Sequence, residues 1–186
     1  PIPEELAGHP LVQAAWDGID PTQVLDIHTH LTGTGDSGHD VWVNPVGSDL
    51  SSPVDYLQRR FLMNAACVNF ENIDVSYVER LRKLAEDFKL GSKFLLLAFD
   101  YFHDETGVAD KSKSPFHISN AYAASVAKMY SERFSWCASI HPYRHDSEEA
   151  LTQAKKDGAL AVKWLPQAMG IDPASTLCNR FYSALA

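Results

Sequence analysis

Four short apolar runs, each bounded by turn residues and separated from the next by a stretch of helical period, limit most strongly what this chain can fold into. They cover residues 24–31, 92–101, 135–141 and 159–165. Runs this short and this continuously apolar suit strands of a parallel sheet covered on both faces. Between them, Ser52-Pro53 opens a helix whose Val54, Leu57, Phe61, Leu62 and Ala65 form a stripe. A second helix is expected from Asp74 through Val78, Leu81, Leu84, Ala85 and Phe88, with Gly91 as its terminator. A third carries Ala121, Tyr122, Ser125, Val126 and Met129. In a fourth, Asp146 and Glu149 resemble a capping box, Leu151 and Ala154 face inward, and Gly158 ends the element. Residues 66–70 are read as a further short strand. Strand, helix, strand, helix is the rhythm of an α/β fold with a parallel sheet.

At 186 residues and 45% hydrophobic composition the chain can bury a core as one domain, residues 1–186, with residues 1–23 as an N-terminal extension. A formal charge of -8 offers no basic footprint, which argues against nucleic acid or an anionic membrane surface as a partner. Cys67, Cys137 and Cys178 are odd in number and far apart, so they are read as reduced, buried thiols. The longest apolar run, residues 94–99, is far short of the roughly 20 residues of a membrane span. Together these imply a cytoplasmic protein. The start at Pro1 without a methionine implies processing, trimming or excision. Asp172-Pro173 reads as a helix start, after which Leu177, Phe181, Tyr182 and Leu185 recur at helical spacing, so the sequence is expected to stop in or at the end of a helix.

The chemistry is concentrated in the first run, "VLDIHTHL". Alternation along a strand puts Asp26, His28 and His30 on one face and Leu25, Ile27 and Thr29 on the other. Three polar groups in a buried strand are costly unless each finds a partner, and a cation shared by two imidazoles at i and i+2 would supply one. The competing reading is a pair of histidines with ordinary hydrogen bonds. In "ALAVKWL", alternation sends Ala159, Ala161, Lys163 and Leu165 to one face and Leu160, Val162 and Trp164 to the other. Small residues inward and large ones outward suit a narrow barrel interior, with Lys163 near its mouth. A buried amine loses basicity and can take up carbon dioxide as a carbamate that bridges metal ions; pairing with Asp26 or contact with an acidic substrate are the alternatives. His141 and Tyr143 in "SIHPY" and Asp100 in "AFDYFH" reach the same end and are candidate substrate contacts, as are Tyr101 and His103. His39, His117 and His145 are read as solvent-facing, and the tryptophans as packing. Two long loops, 32–51 and 102–116, follow the carboxyl ends of strands, where ligands of α/β folds gather.

"DIHTHL", then "SIHPY", then "DGALAVKWLPQAMGIDP" resemble the metal-dependent amidohydrolase superfamily, in particular its amidohydrolase 2 branch, over most of the chain from Val24 onward. The resemblance implies a TIM-type (β/α)8 barrel, of which this chain carries about the first four β/α units. It assigns His28 and His30 to a divalent metal, one or two ions with zinc the expected species. It places Lys163 at the end of strand four, as a metal ligand or catalytic group. Asp26 would orient an imidazole. The implied activity is hydrolysis of a carbonyl substrate (amide, ester or lactone) by metal-activated water. Decarboxylation or isomerisation on the same site and a metal-free binding or scaffold role are the alternatives. The superfamily's later ligands, two histidines and an aspartate, have no counterpart up to Ala186. The remaining half of the barrel or a second chain is therefore the expected partner, alongside a small-molecule substrate and a homo-oligomeric state.

Overall fold

A computed structural model describes residues 2–46, 48 and 50–186. Pro1, and with it the reading of the amino terminus as processed, lies outside the described residues, as do two positions of the first long loop, Gly47 and Asp49. The chain is a mixed α/β structure. Its strands are β1 (Leu25–His30), β2 (Val41–Val43), β3 (Lys93–Leu97), β4 (Phe116–Ile118) and β5 (Phe134–Cys137). Its helices are α1 (Glu4–Ala7), α2 (Pro10–Ala14), α3 (Pro53–Ala65), α4 (Ile73–Ala85), α5 (Asn120–Met129), α6 (Ser147–Lys156), α7 (Pro166–Met169) and α8 (Asn179–Leu185). None is long and apolar enough to cross a membrane.

The main sheet is parallel with the order β1-β3-β5. The fourth apolar run continues that order but is not a full strand. It joins through one parallel bridge, Ala138 to Val162, with Ala138 N–H donating to Ala161 O (2.9 Å) and Lys163 N–H to Ala138 O (2.8 Å). Pro166, which lacks an amide donor, follows the run directly and starts α7. The expected extra strand at residues 66–70 does not form: Cys67 adopts φ 54°, a left-handed conformation that breaks an extended run. Conversely, the first long loop contains a strand and the second ends at the start of one. β2 and β4 pair antiparallel, Val41 with Ile118 and Val43 with Phe116, and a bridge from Phe99 to Ile118 seats this ribbon beyond the carboxyl end of β3.

The core lies on the face of the sheet that carries Phe94, Leu96, Phe134, Trp136, Ala138 and Ile140. Against it pack Val78 and Ala85 of α4, Tyr122, Ala123, Val126 and Ala127 of α5, and Ala154 of α6. α8 joins through Phe181, fully buried beside the Trp164 ring. Among the described residues the opposite face holds a small buried cluster, Leu95, Leu97 and Cys137. The amino-terminal extension docks at the other end of the sheet, where Trp16 meets Phe88 edge to face.

Three helix expectations need correction. The stripe of α3 points outward: Val54, Leu57, Phe61 and Leu62 are 59–76% exposed, so among the described residues no surface covers it. Asp146 precedes α6 but does not cap it, because both its carboxylate oxygens accept from Arg144, Nε at 2.9 Å and Nη2 at 2.7 Å. After Asp172-Pro173 the chain makes a turn and a 3-10 segment, Thr176–Cys178, before α8 starts at Asn179. Cys67 is exposed, against expectation, while Cys137 and Cys178 are buried free thiols.

Candidate functional site

β1 is an edge strand, and that changes the reading of its polar residues. Leu25 and Ile27 are 43% and 67% exposed, and Asp26, His28 and His30 are exposed too. Burial therefore does not force a cation on the histidines; any metal site must rest on geometry. The pairing with β3 also slips: Asp26 stands opposite Phe94, whereas Thr29 stands opposite Leu96 and His30 opposite Leu97. One extra residue in β1 is a bulge, and it reverses the side presented after it. Asp26 thus falls on the helix-covered side with Phe94, and His30 on the side of Leu97 and Cys137. The expected single row of Asp26, His28 and His30 is broken. The Asp26 carboxylate accepts from the backbone N–H of His28 at 2.8 Å, with no hydrogen bond to an imidazole.

The two imidazoles do converge. Their Nε2 atoms are 3.0 Å apart, with ring centroids 4.8 Å apart and planes inclined by 47°. Two imidazole nitrogens on one ion at about 2.1 Å stand roughly 3.0–3.4 Å apart in octahedral or tetrahedral geometry, so the pair fits a shared divalent cation. It fits equally a hydrogen bond between one protonated and one bare nitrogen. Partial burial, then the positive charge of Lys163 and that of His28, hold the His30 imidazole below the ordinary histidine range. That favours the neutral, ligating form. Among the described residues no group of three or more histidine, cysteine or carboxylate side chains stands ready for a metal.

Lys163 does project to the His30 side. Val162 and Trp164 turn to the core, as alternation predicts; Ala159 also packs there, so the expected pattern holds only over the later part of the run. Burial holds the Lys163 amine below its ordinary range, with the Cys137 thiol opposing. The same burial pushes the Cys137 thiol up to about 11, which keeps it protonated. The ion pair with Asp26 does not form.

The other three candidates are tied into the scaffold. Asp100 is buried, and its Oδ2 accepts from His141 N–H (2.9 Å) and Arg144 Nη1 (2.8 Å), while Oδ1 accepts from Tyr101 N–H (2.9 Å). His141 is fully buried; Nε2 is 2.8 Å from Met169 O and Nδ1 accepts from Tyr143 N–H at 3.2 Å. Those partners define a neutral ring protonated on Nε2, and burial lowers its pKa to about 4. The Tyr143 hydroxyl accepts from Asp172 N–H at 3.1 Å. Each side chain has its partners inside the fold: Asp100 ties the chain beyond β3 to the segment after β5, and His141 and Tyr143 tie that segment to Met169 and Asp172.

Sequence reasoning missed two features of this end of the sheet. His117 is buried rather than solvent-facing; its ring stacks on Tyr101 at 3.9 Å and burial lowers its pKa. A cleft of about 640 Å³ opens between α3 and the β2–β4 ribbon, bordered by Thr32, two residues beyond His30. A pattern signal for it existed only in the apolar "VWV" of β2, three residues that are too short a run to stand out.

No protein-family model, curated protein or solved structure matches this chain.

Proposed function

We propose that the chain is part of a metal-dependent hydrolase of the amidohydrolase type, built from the first four β/α units of a TIM-type barrel. The single observation that carries this reading is the 3.0 Å approach of His28 Nε2 to His30 Nε2 at the carboxyl end of a parallel strand. The all-parallel order β1-β3-β5 followed by the bridge at Val162 agrees with it. So does the outer edge of β1, which among the described residues pairs with no strand and which further strands, whether from the same protein or a second chain, would pair.

His28 and His30 would hold the ion. The chemistry such an ion, zinc being the proposed species, would supply there is polarisation of a substrate carbonyl and a lowered pKa for water. Lys163, its amine weakened by burial, is available as a carbamate ligand or as a positioning group for the substrate carbonyl. Asp26 fixes the strand by capping His28 N–H and so holds that imidazole's base in place.

Metal analysis of the intact protein tests this reading. About one equivalent of a divalent ion or more, lost in a His28→Ala/His30→Ala double variant, supports it; full retention in that variant overturns it. Hydrolysis incorporates solvent oxygen into product, whereas carbon dioxide release would reassign the site to decarboxylation. One observation favours a second reading, a metal-free binding protein: the two imidazoles can satisfy each other by hydrogen bonding. Absence of metal at saturating zinc would select it.

A further inference from the structure

The cleft between α3 and the β2–β4 ribbon has a chemistry of its own. Its walls are apolar, formed by Val43, Leu62, Met63, Ala66, Pro115 and Phe116. Two cations, Arg59 and Lys113, and one carboxylate, Asp55, stand at its border. Lys113 is engaged elsewhere: its Nζ lies 3.5 Å from Asp110 Oδ2 and 4.9 Å from the Phe102 ring centroid. Arg59 is different. Asp55 sits one helical turn before it, yet among the described residues no ion pair joins Arg59 to that or any other carboxylate. Arg59 is half-buried on α3, where it also borders a smaller pocket beside Phe70.

A half-buried arginine with no carboxylate partner among the described residues, lining a mostly apolar cleft, is matched best by a ligand that brings both an apolar body and one negative charge. Arg presents a planar fork suited to a carboxylate. The apolar lining rejects a strongly hydrated polyanion, and the volume suits a drug-sized molecule. We propose that this cleft binds an apolar-bodied monocarboxylate, anchored by Arg59 and lying against Leu62, Met63 and Phe116. Thr32, two residues beyond His30 in the chain, also lines this cleft, which puts it next to the strand end that carries the imidazole pair. The ligand's role as substrate rests on the hydrolase reading; its binding does not.

Binding of 2-naphthoate and of its uncharged counterpart 2-naphthamide, measured by calorimetry on the intact protein in excess EDTA, tests the cleft without reference to metal. The wild type is expected to prefer the carboxylate. Arg59→Met should weaken the carboxylate roughly tenfold or more while leaving the amide unchanged, and Arg59→Lys should recover part of the loss. Lys113→Gln should have a smaller effect than Arg59→Met. Failure of the wild type to bind 2-naphthoate, equal binding by Arg59→Met, or equal weakening of both ligands would each overturn the proposal. Naphthoate binding by a protein that takes up no metal would retain the cleft and reject the hydrolase, so the two readings fail separately.

Discussion

Ser37 gives both of its donors to one carboxylate oxygen of Asp74, the hydroxyl at 2.6 Å and the backbone N–H at 3.3 Å. The other oxygen accepts from Thr34 N–H at 2.6 Å and Gly35 N–H at 3.2 Å. In return, Asp36 accepts from the first N–H groups of α4, Ile73 at 2.5 Å and Asp74 at 3.0 Å. Burial would raise the Asp74 carboxyl, but the hydrogen bonds from Ser37 and Thr34 outweigh it and hold the group ionised. The loop that follows the histidine pair is thereby pinned to a helix start.

Asp74→Asn should accordingly destabilise the protein by about 2–3 kcal/mol, because an amide can accept at only one of its two positions and leaves donors unpaired. Urea denaturation of the two proteins measures it. Gly33→Ala should act in the same direction, since a Cβ at Gly33 would run into the Asp74 carboxylate. A variant at either position as stable as the wild type would contradict the pinning.

Arg144 is the only cation paired with the buried Asp100 among the described residues. Removing it in Arg144→Met should cost about 3 kcal/mol, since Asp100 would be left as a buried and uncompensated charge. Replacing both, Asp100→Asn with Arg144→Met, should cost less than the sum of the single changes. A double-mutant cycle in thermal denaturation reads that coupling; strict additivity would show the pair to be energetically idle.

His141 makes stability depend on pH. Its folded pKa, about 4, lies below the ordinary value of 6.5, so between these values the unfolded chain binds more protons than the folded one. Stability from this group is therefore full above about pH 6.5 and is lost as the pH falls toward 4. At pH 5 the expected loss is on the order of 2 kcal/mol, with His117 contributing in the same direction. An NMR titration of the His141 ring with a midpoint near 6.5 would refute this.

Phe181→Ala should cost roughly 3–5 kcal/mol, the range for truncating a fully buried aromatic ring. The same variant should release α8 from Trp164, visible as lost amide protection over Asn179–Leu185. Protection unchanged there would mean that α8 is held by something other than this contact.

Much of the fold was legible in the chain because it depends on local pattern. The runs 92–101 and 135–141 contain β3 and most of β5, though each strand is only about half as long as its run, and α3, α4 and α6 start within a residue of Pro53, Asp74 and Asp146. The ribbon was not legible, because β2 and β4 are three residues each and are strands only through pairing with one another across some seventy residues of chain. The exposed stripe of α3 was misread for a related reason: periodicity reveals that a helix has an apolar side, not what lies opposite it.

At the site, sequence alone determined that two imidazoles one residue apart end an apolar strand, because alternation by twos is a property of the extended backbone. Whether their nitrogens meet, and whether Asp26 shares their side, was decided only in three dimensions. A one-residue bulge against β3 moved Asp26 to the other face while leaving His28 and His30 within 3.0 Å. Likewise the residue types of Asp100, His141 and Arg144 were plain in the chain, but their mutual satisfaction came from neighbouring strand ends that bring residues some forty positions apart into hydrogen-bond range. Local pattern sets which groups a segment can present; long-range pairing sets which of them are left free to act.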